Sequence, residues 1–442
     1  MTSDSAGAAM PYAPPERGTG PTVVYRGVTL FDGTGSPPRA GMSIVVDGPL
    51  IRAVVTDAEA EGLTEGAEVV DLAGHFVTPG LIDSHQHLAT PPDRPAAEAV
   101  LDRLVHSGVT GIRDMADDLR QIGDLARAVR VGEIAGPDIH YAALMAGPGF
   151  FDDPRTHQVS QGAVAGRVPW MQAVTDTTDL PLAVALARGT YASAIKVYAD
   201  LDAGLVAAIT AEAHRQGIAV WAHAAVFPAA PGEVVDAGVD AVSHVSLLAH
   251  EAATGPLTSY RNKPPVDHAA LVTGEDERLE KLFARMRERG VVLDATAGLY
   301  ASHEFVSDDP EVAERAARNT ELAIALTAQA YRAGVDVSTG TDYETPPQEP
   351  FPALYEELAF LVRRCGIPEY DVLRSATLIG ARSAGVADLT GSVEPGKLAD
   401  LAVFTGDPLA DIDDLRTVTL TVKRGRRFPR SAYTADRLQE NR

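Results

Sequence analysis

The chain has 442 residues, 45% of them hydrophobic, and a formal net charge of −23 at pH 7. That length suits one large domain of ~250–300 residues beside a smaller one, and the acidity excludes general attraction to nucleic acid or to an anionic membrane. No apolar run approaches the ~18 residues of a membrane span, and the single cysteine, Cys365, leaves no intramolecular disulfide and suits a reducing, cytoplasmic setting.

Residues 1–21, "MTSDSAGAAMPYAPPERGTGP", lack a basic segment followed by an apolar core. They read as a flexible arm, not a signal peptide. Residues 22–80 hold three β-rich runs, "TVVYRGVTLFDG", "SIVVDGPLIRAVV" and "AEVVDLAGHFVTPG", each closed by Gly, Asp or Pro. From Leu81 the pattern becomes strand, loop, helix, repeated. Strands are expected at "GLID" leading into His85, "GVTGIRDM", "DIHYAALMAG", "SAIKVYAD", "IAVWAHAA", "VDAVSHVSLL", "VVLDATAG" and "VDVSTGTD". Amphipathic helices such as "DLRQIGDLARAVRVGE" and "ERLEKLFARMRERG" lie between most of them. The tail, "KLADLAVFTGD" and "VTLTVKRGRRF", returns to β character.

Eight strands alternating with helices predict an α/β protein with a (β/α)8 TIM-like barrel over residues 81–385. Residues 22–80 and 386–430 are expected to join as a small β-sandwich domain formed from both chain ends, with 431–442 as a C-terminal tail. Long loops are expected at 146–169 and 248–275, able to cover the barrel mouth or to be plain surface insertions.

Polar residues fall where such barrels place their chemistry, at the C-terminal ends of the strands. In "GLIDSHQHL", His85 and His87 are two residues apart, so on a strand they share a face. Lys196 sits in "AIKVY", His223 in "VWAHAA", His244 in "VSHVS" and Asp342 in "TGTDY". Each alone reads equally as an ordinary polar residue. A lysine inside a buried strand must pair, lose its proton or be modified, because burying an unpartnered ammonium costs several kcal/mol. Carbamylation by CO2 is one solution, turning the amine into a carboxylate. Together the six make a nitrogen and oxygen donor set without thiolate, suited to a divalent cation: Zn2+ foremost, or Mn2+, Co2+ or Ni2+. Asp83 and Asp114 either orient an imidazole or are structural.

With these residues, the chain resembles the amidohydrolase superfamily, in the branch of imidazolonepropionase-like proteins, Xaa-Pro dipeptidases and ochratoxin-type amidohydrolases. "VTPGLIDSHQH" resembles the family's first-strand signature, and "GSVEPGKLADL" its return into the β-domain. The resemblance implies a binuclear centre. His85, His87 and Asp342 would bind the more buried metal, His223 and His244 the more exposed one, and Lys196, as its carbamate, would bridge both. A bridging hydroxide would attack, and Asp342 would take its proton and pass it to the leaving group, making Asp342 and Lys196 the catalytic pair. Two departures stand out: "LMAGPGFF" has no histidine where the family's peptidases carry one, and Ala225 stands where they have His or Tyr. Tyr198, His157, His250, His303 and Phe150 are the remaining candidates for substrate contact.

The expected activity is metal-dependent hydrolysis of a C–N bond, amide, peptide-like or cyclic amide, in a small molecule. Deamination, ring opening on one metal, and phosphotriester hydrolysis on the same pair are the alternatives, and a silent, non-enzymatic relative is disfavoured by the intact ligand set. A small-molecule substrate is the expected partner, with self-association into a homo-oligomer left open.

Overall fold

The computed structural model describes residues 20–434. The arm expected at 1–21 lies almost wholly outside the described residues, as do residues 435–442 of the expected tail. The strands run in chain order β1 Thr22–Leu30, β2 Arg39–Asp47, β3 Leu50–Thr56, β4 Glu68–Asp71, β5 Phe76–Pro79, β6 Leu81–Gln86, β7 Val109–Asp114, β8 Asp138–Ala146, β9 Arg167–Val168, β10 Met171–Ala173, β11 Ala194–Val197, β12 Ala219–His223, β13 Ala241–Ser243, β14 Val292–Asp294, β15 Val337–Ser338, β16 Leu401–Phe404, β17 Val418–Lys423 and β18 Arg426–Pro429.

Strands β6, β7, β8, β11, β12, β13, β14 and β15 pair in parallel, in that order, as a barrel. Backbone bonds from Ser84 N to Thr339 O, 2.8 Å, and from Asp342 N to His85 O, 2.9 Å, draw the last strand against the first. The helices between strands start and stop where local chemistry dictates. Asp118, Asp202 and Asp276 accept backbone N–H groups at the starts of Leu119–Val131, Ala203–Arg215 and Glu277–Arg289, satisfying donors that the helix cannot. Gly132 and Gly290 close the first and third of these in the left-handed conformation that glycine adopts without penalty. Among the described residues, no helix is long and apolar enough to cross a membrane.

The second sheet draws on both halves of the sequence. Its order is β18-β17-β16-β5-β1-β2-β3, with β4 also pairing β1. The junction is β5 against β16, antiparallel, with Val77 opposite Val403. Its inner face closes over one apolar core that includes Tyr25, Val28, Ile44, Val77, Leu401 and Val422.

Three expectations change. The segment 146–169 is not an open loop. It carries a 3-10 turn at Pro148–Asp152, a helix at Pro154–Ser160 and strand β9, whose hairpin partner β10 lies along β8. Asp153 accepts Arg155 N at 2.9 Å and starts that helix. Within 248–275, likewise, a 3-10 helix runs from Val245 to Ala252 and a short helix from His268 to Leu271. The sixth barrel strand also stops earlier than expected, at Ser243, because His244 turns into the left-handed region at φ 69°.

The barrel is tied to the second sheet by a buried ion cluster. Asp138, at the start of β8, meets Lys423 Nζ at 2.7 Å and accepts from Arg424 Nε at 2.8 Å. Burial raises the Asp138 pKa, but the two cations more than reverse this and hold it well below the usual carboxylate range. Asp138→Asn leaves two partly buried cations uncompensated, and is expected to cost about 3–5 kcal/mol of stability, read as a lowered denaturation midpoint. A depressed carboxyl stabilises the fold above its unfolded pKa of about 4 and loses that contribution as pH falls. The gap between wild type and variant should therefore close in acid.

Candidate metal centre

The two-residue period of a strand stacks the barrel interior in layers. The lower layer is small and apolar except for one ring: Ala142, Ala194, Trp221, Ala241 and Val292 cluster there. Two positions further along, the same strands turn in Lys196, His223, Ser243 and Asp294. His85, from β6, completes this upper layer beside Asp294.

The sequence-predicted ligands meet at this end. His85, His87 and Asp342 bring ligand atoms within 4.8 Å of one another. Asp342 Oδ1 is 3.5 Å from His85 Nε2 and 3.4 Å from His87 Nε2, and its Oδ2 is 3.6 Å from His244 Nδ1. The four imidazoles form a chain: ring centroids are 5.5 Å apart for His87–His85, 4.9 Å for His85–His244 and 4.8 Å for His244–His223. Lys196 is 1% exposed, and its Nζ donates to Ser243 Oγ at 3.1 Å. Burial, foremost, lowers the Lys196 pKa to about 7.

The backbone is bent to make this meeting. Ala116, Asp200, His244, Thr296 and Asp342 all follow barrel strands and all have positive φ. Such conformations cost of order 1–3 kcal/mol each for non-glycine residues, and they cluster here at the rim. His244 and Asp342, the two such residues among the six, also approach each other.

Electrostatics favour neutral imidazoles with lone pairs available. Burial, then the charges of Lys196 and neighbouring histidines, holds His85 and His223 well below the usual imidazole range. His244 is lowered likewise, by burial and then by His85 and Lys196. His87 is the exception. Burial opposes its proton, but Asp117, at 2.8 Å from Nδ1, raises it to about 9, so a cation entering there displaces a proton. Burial raises Asp342 to about 6.

A metal fits these residues on a direct observation. Both ring nitrogens of His223 are buried and have no hydrogen-bond partner. Buried polar atoms are nearly always satisfied, and an imidazole aimed into a cluster of N and O donors is satisfied by a cation. The donor set, four imidazoles, a lysine and a carboxylate without thiolate, suits Zn2+ and its neighbours in the first transition row.

Above the six lies a cavity of about 420 Å3. Met115, Leu144, Phe150, Val159 and Met171 give it an apolar side, and Arg155, Glu304 and Glu344 add charge. Tyr198 lines it, with its ring centroid 3.8 Å from that of His223 and 4.4 Å from that of Phe150. Three other candidates for substrate contact lie elsewhere. His157 and His303 are exposed outside the cavity, because their short helical turns present other residues to it, Arg155 and Val159 from the one and Glu304 from the other. His250 packs edge-on against Phe227, ring centroids 5.0 Å apart, behind the cavity wall. Asp83 and Asp114 touch no imidazole ring. Asp83 binds Thr341 and Gln86 and pins β6 to the last strand, whereas Asp114 accepts the backbone of Leu88 and Asp117.

Sequence reasoning passed over the carboxylates that do hold imidazoles. Asp117 orients His87 and also accepts Ala89 N and the Thr90 hydroxyl. Asp294 accepts His85 Nδ1–H at 2.7 Å. Thr296 Oγ1 meets His244 Nδ1 at 3.1 Å. For Asp294 a signal existed: a lone charge closing the apolar run "VVLD".

A family model described as "Amidohydrolase family" matches residues 76–428. An imidazolonepropionase of Hyphomonas neptunium is 24% identical over 372 residues, 79% of this chain and 83% of the relative. The crystal structure of a Xaa-Pro dipeptidase with bound methionine is similar at TM-score 0.72 and 23% identity, over 92% of this chain and 100% of that one. The structure of A. niger ochratoxinase is similar at TM-score 0.73 and 22% identity, over 94% and 97%. At such identities the likeness to the two solved structures is one of fold.

Proposed function

The chain belongs to the amidohydrolase family, as an enzyme that uses metal to hydrolyse a C–N bond, and on that premise we propose which residues carry the reaction. His85, His87 and Asp342 hold one divalent cation, His223 and His244 hold a second, and Lys196, as its carbamate, holds both. Zn2+ is the cation we favour, because it takes this mixture of imidazole and carboxylate readily. The observation that carries the reading is His223: a buried imidazole with two unpartnered nitrogens, between Tyr198 and His244, in a cavity that all six of these residues line.

Held there, two cations supply Lewis acidity to a scissile carbonyl and bring the ionisation of water toward neutral pH. The rest falls to the chain. Asp342 accepts a proton at its carboxylate and returns it to the departing nitrogen. Asp117 and Asp294 fix the ring orientations of His87 and His85. The apolar side of the cavity excludes water from the reacting groups. The substrate is a small molecule with an amide, peptide-like or cyclic amide bond, and the enzyme works in the cytoplasm, in keeping with its single, buried cysteine. A one-cation deaminase would leave the buried Lys196 without a task.

Metal content after purification without chelator, followed by a hydrolysis screen over N-acyl amino acids, dipeptides, lactams and aryl amides, tests this. One to two equivalents of metal and a turnover abolished by chelation are expected. A protein that neither carries nor takes up Zn2+ or Mn2+ contradicts the assignment.

A further inference from the structure

Strand β14 supplies none of the six ligands, yet its last residue touches the machinery on three sides. Asp294 is fully buried. Its Oδ2 accepts His85 Nδ1–H at 2.7 Å, Ser243 Oγ–H at 2.8 Å and Arg113 Nη2–H at 3.1 Å. Ser243 Oγ in turn accepts from Lys196 Nζ. The Asp294 carbonyl holds the backbone N–H of His244 at 3.0 Å. Arg113 is fixed from below: Nε donates to Ser84 O at 2.8 Å, Nη1 to Ser383 O at 3.0 Å, and the guanidinium lies 4.5 Å from the Trp221 ring centroid. Gly340 makes room for the other oxygen, since a Cβ there would stand 2.1 Å from Asp294 Oδ1.

We propose that Asp294, backed by Arg113, is a positioning residue that couples the two halves of the site: one oxygen sets the tautomer of His85 and, through Ser243, the direction of Lys196. Three donors on Oδ2 saturate it, so that oxygen is not itself a ligand. By accepting at Nδ1 it makes His85 present Nε2 toward Asp342. A carboxylate is required because the acceptor must also balance the guanidinium of Arg113, buried with it. The inference rests on the reading of His85 and Lys196 as cation ligands.

The test compares wild type, Asp294→Asn and Ser243→Ala in metal-free form and titrates each with Zn2+ and Co2+ against a competing chelator. Asp294→Asn should bind the first equivalent about 10- to 100-fold more weakly and change the visible spectrum of the Co2+ form. Ser243→Ala keeps the Asp294–Arg113 pair, so it should keep the first equivalent and weaken the second about tenfold or more. Nitrogen-15 NMR of metal-free wild type should show His85 protonated at Nδ1, and Asp294→Asn should erode that preference. A folded Asp294→Asn with both affinities within about twofold of wild type overturns the proposal. If that variant does not fold, a Ser243→Ala protein with both affinities unchanged overturns it. A wild type that binds no metal defeats the functional reading instead, and the His85 tautomer then decides the coupling alone: protonation at Nε2 overturns it.

Discussion

Lys196→Ala is expected to lower kcat/KM by more than about a hundredfold, a loss of ~2.7 kcal/mol or more of transition-state stabilisation, and to strip the purified enzyme of part of its metal. Lys196 stands 1% exposed, with Ser243 Oγ as its hydrogen-bond partner. Burial brings its amine to about 7, so a large fraction is neutral at physiological pH and able to combine with CO2. The proposed carbamate would bring a negative charge and two oxygens to a place otherwise rich in imidazole. Alanine removes these and leaves a hole the size of the side chain. Short carboxylic acids such as acetate or propionate should enter that hole and restore part of the activity, whereas neutral amides of the same size should not. Full metal content and full activity in Lys196→Ala would remove the basis for a two-cation site.

Asp342→Asn should lower kcat by about 10²- to 10⁴-fold, the usual contribution of a positioned acid–base group. The amide keeps the volume and an oxygen near His85 and His87 Nε2, so KM should move far less than kcat. The pH profile separates proton transfer from simple ligand loss. Asp342 must be ionised to accept a proton, so wild-type activity falls on the acid side. Burial alone places that limb near pH 6, and bound cations, which favour the ionised form, move it lower. The Asn variant should lose this acid limb. An unchanged limb in the variant would assign the ionisation to another group.

The residues proposed as ligands are legible because strands impose a simple rule. His85 and His87 advertise themselves by spacing, and Lys196, His223, His244 and Asp342 by being polar at the ends of apolar runs, where a barrel gathers its strand ends. Asp294 also closes an apolar run, yet its meaning lies across the barrel. It meets His85 from 209 positions away, and no local pattern encodes that encounter. Asp117 is hidden for the opposite reason, since it sits in an irregular turn after β7 where a carboxylate reads as a cap. The misplaced histidines show the limit for loops. His157, His250 and His303 belong to short helical turns whose facing is set by packing against the barrel, and hydrophobic period does not report the facing of a single turn. The insertion at 146–169 reads as a long loop because its cap, Asp153, stands among many turn-forming residues.

The pairing of β5 with β16 has a bearing on how the protein is made. While the ribosome is still producing the barrel, Phe76–Pro79 has a neighbour on one side only, in β1. That flank carries apolar side chains and free backbone groups, the arrangement most prone to sticking to other nascent polypeptides. It gains its mate only when Leu401–Phe404 has been translated, so relief arrives after the last barrel strand has been made. The barrel thus matures on a platform that stays incomplete throughout the barrel's own synthesis.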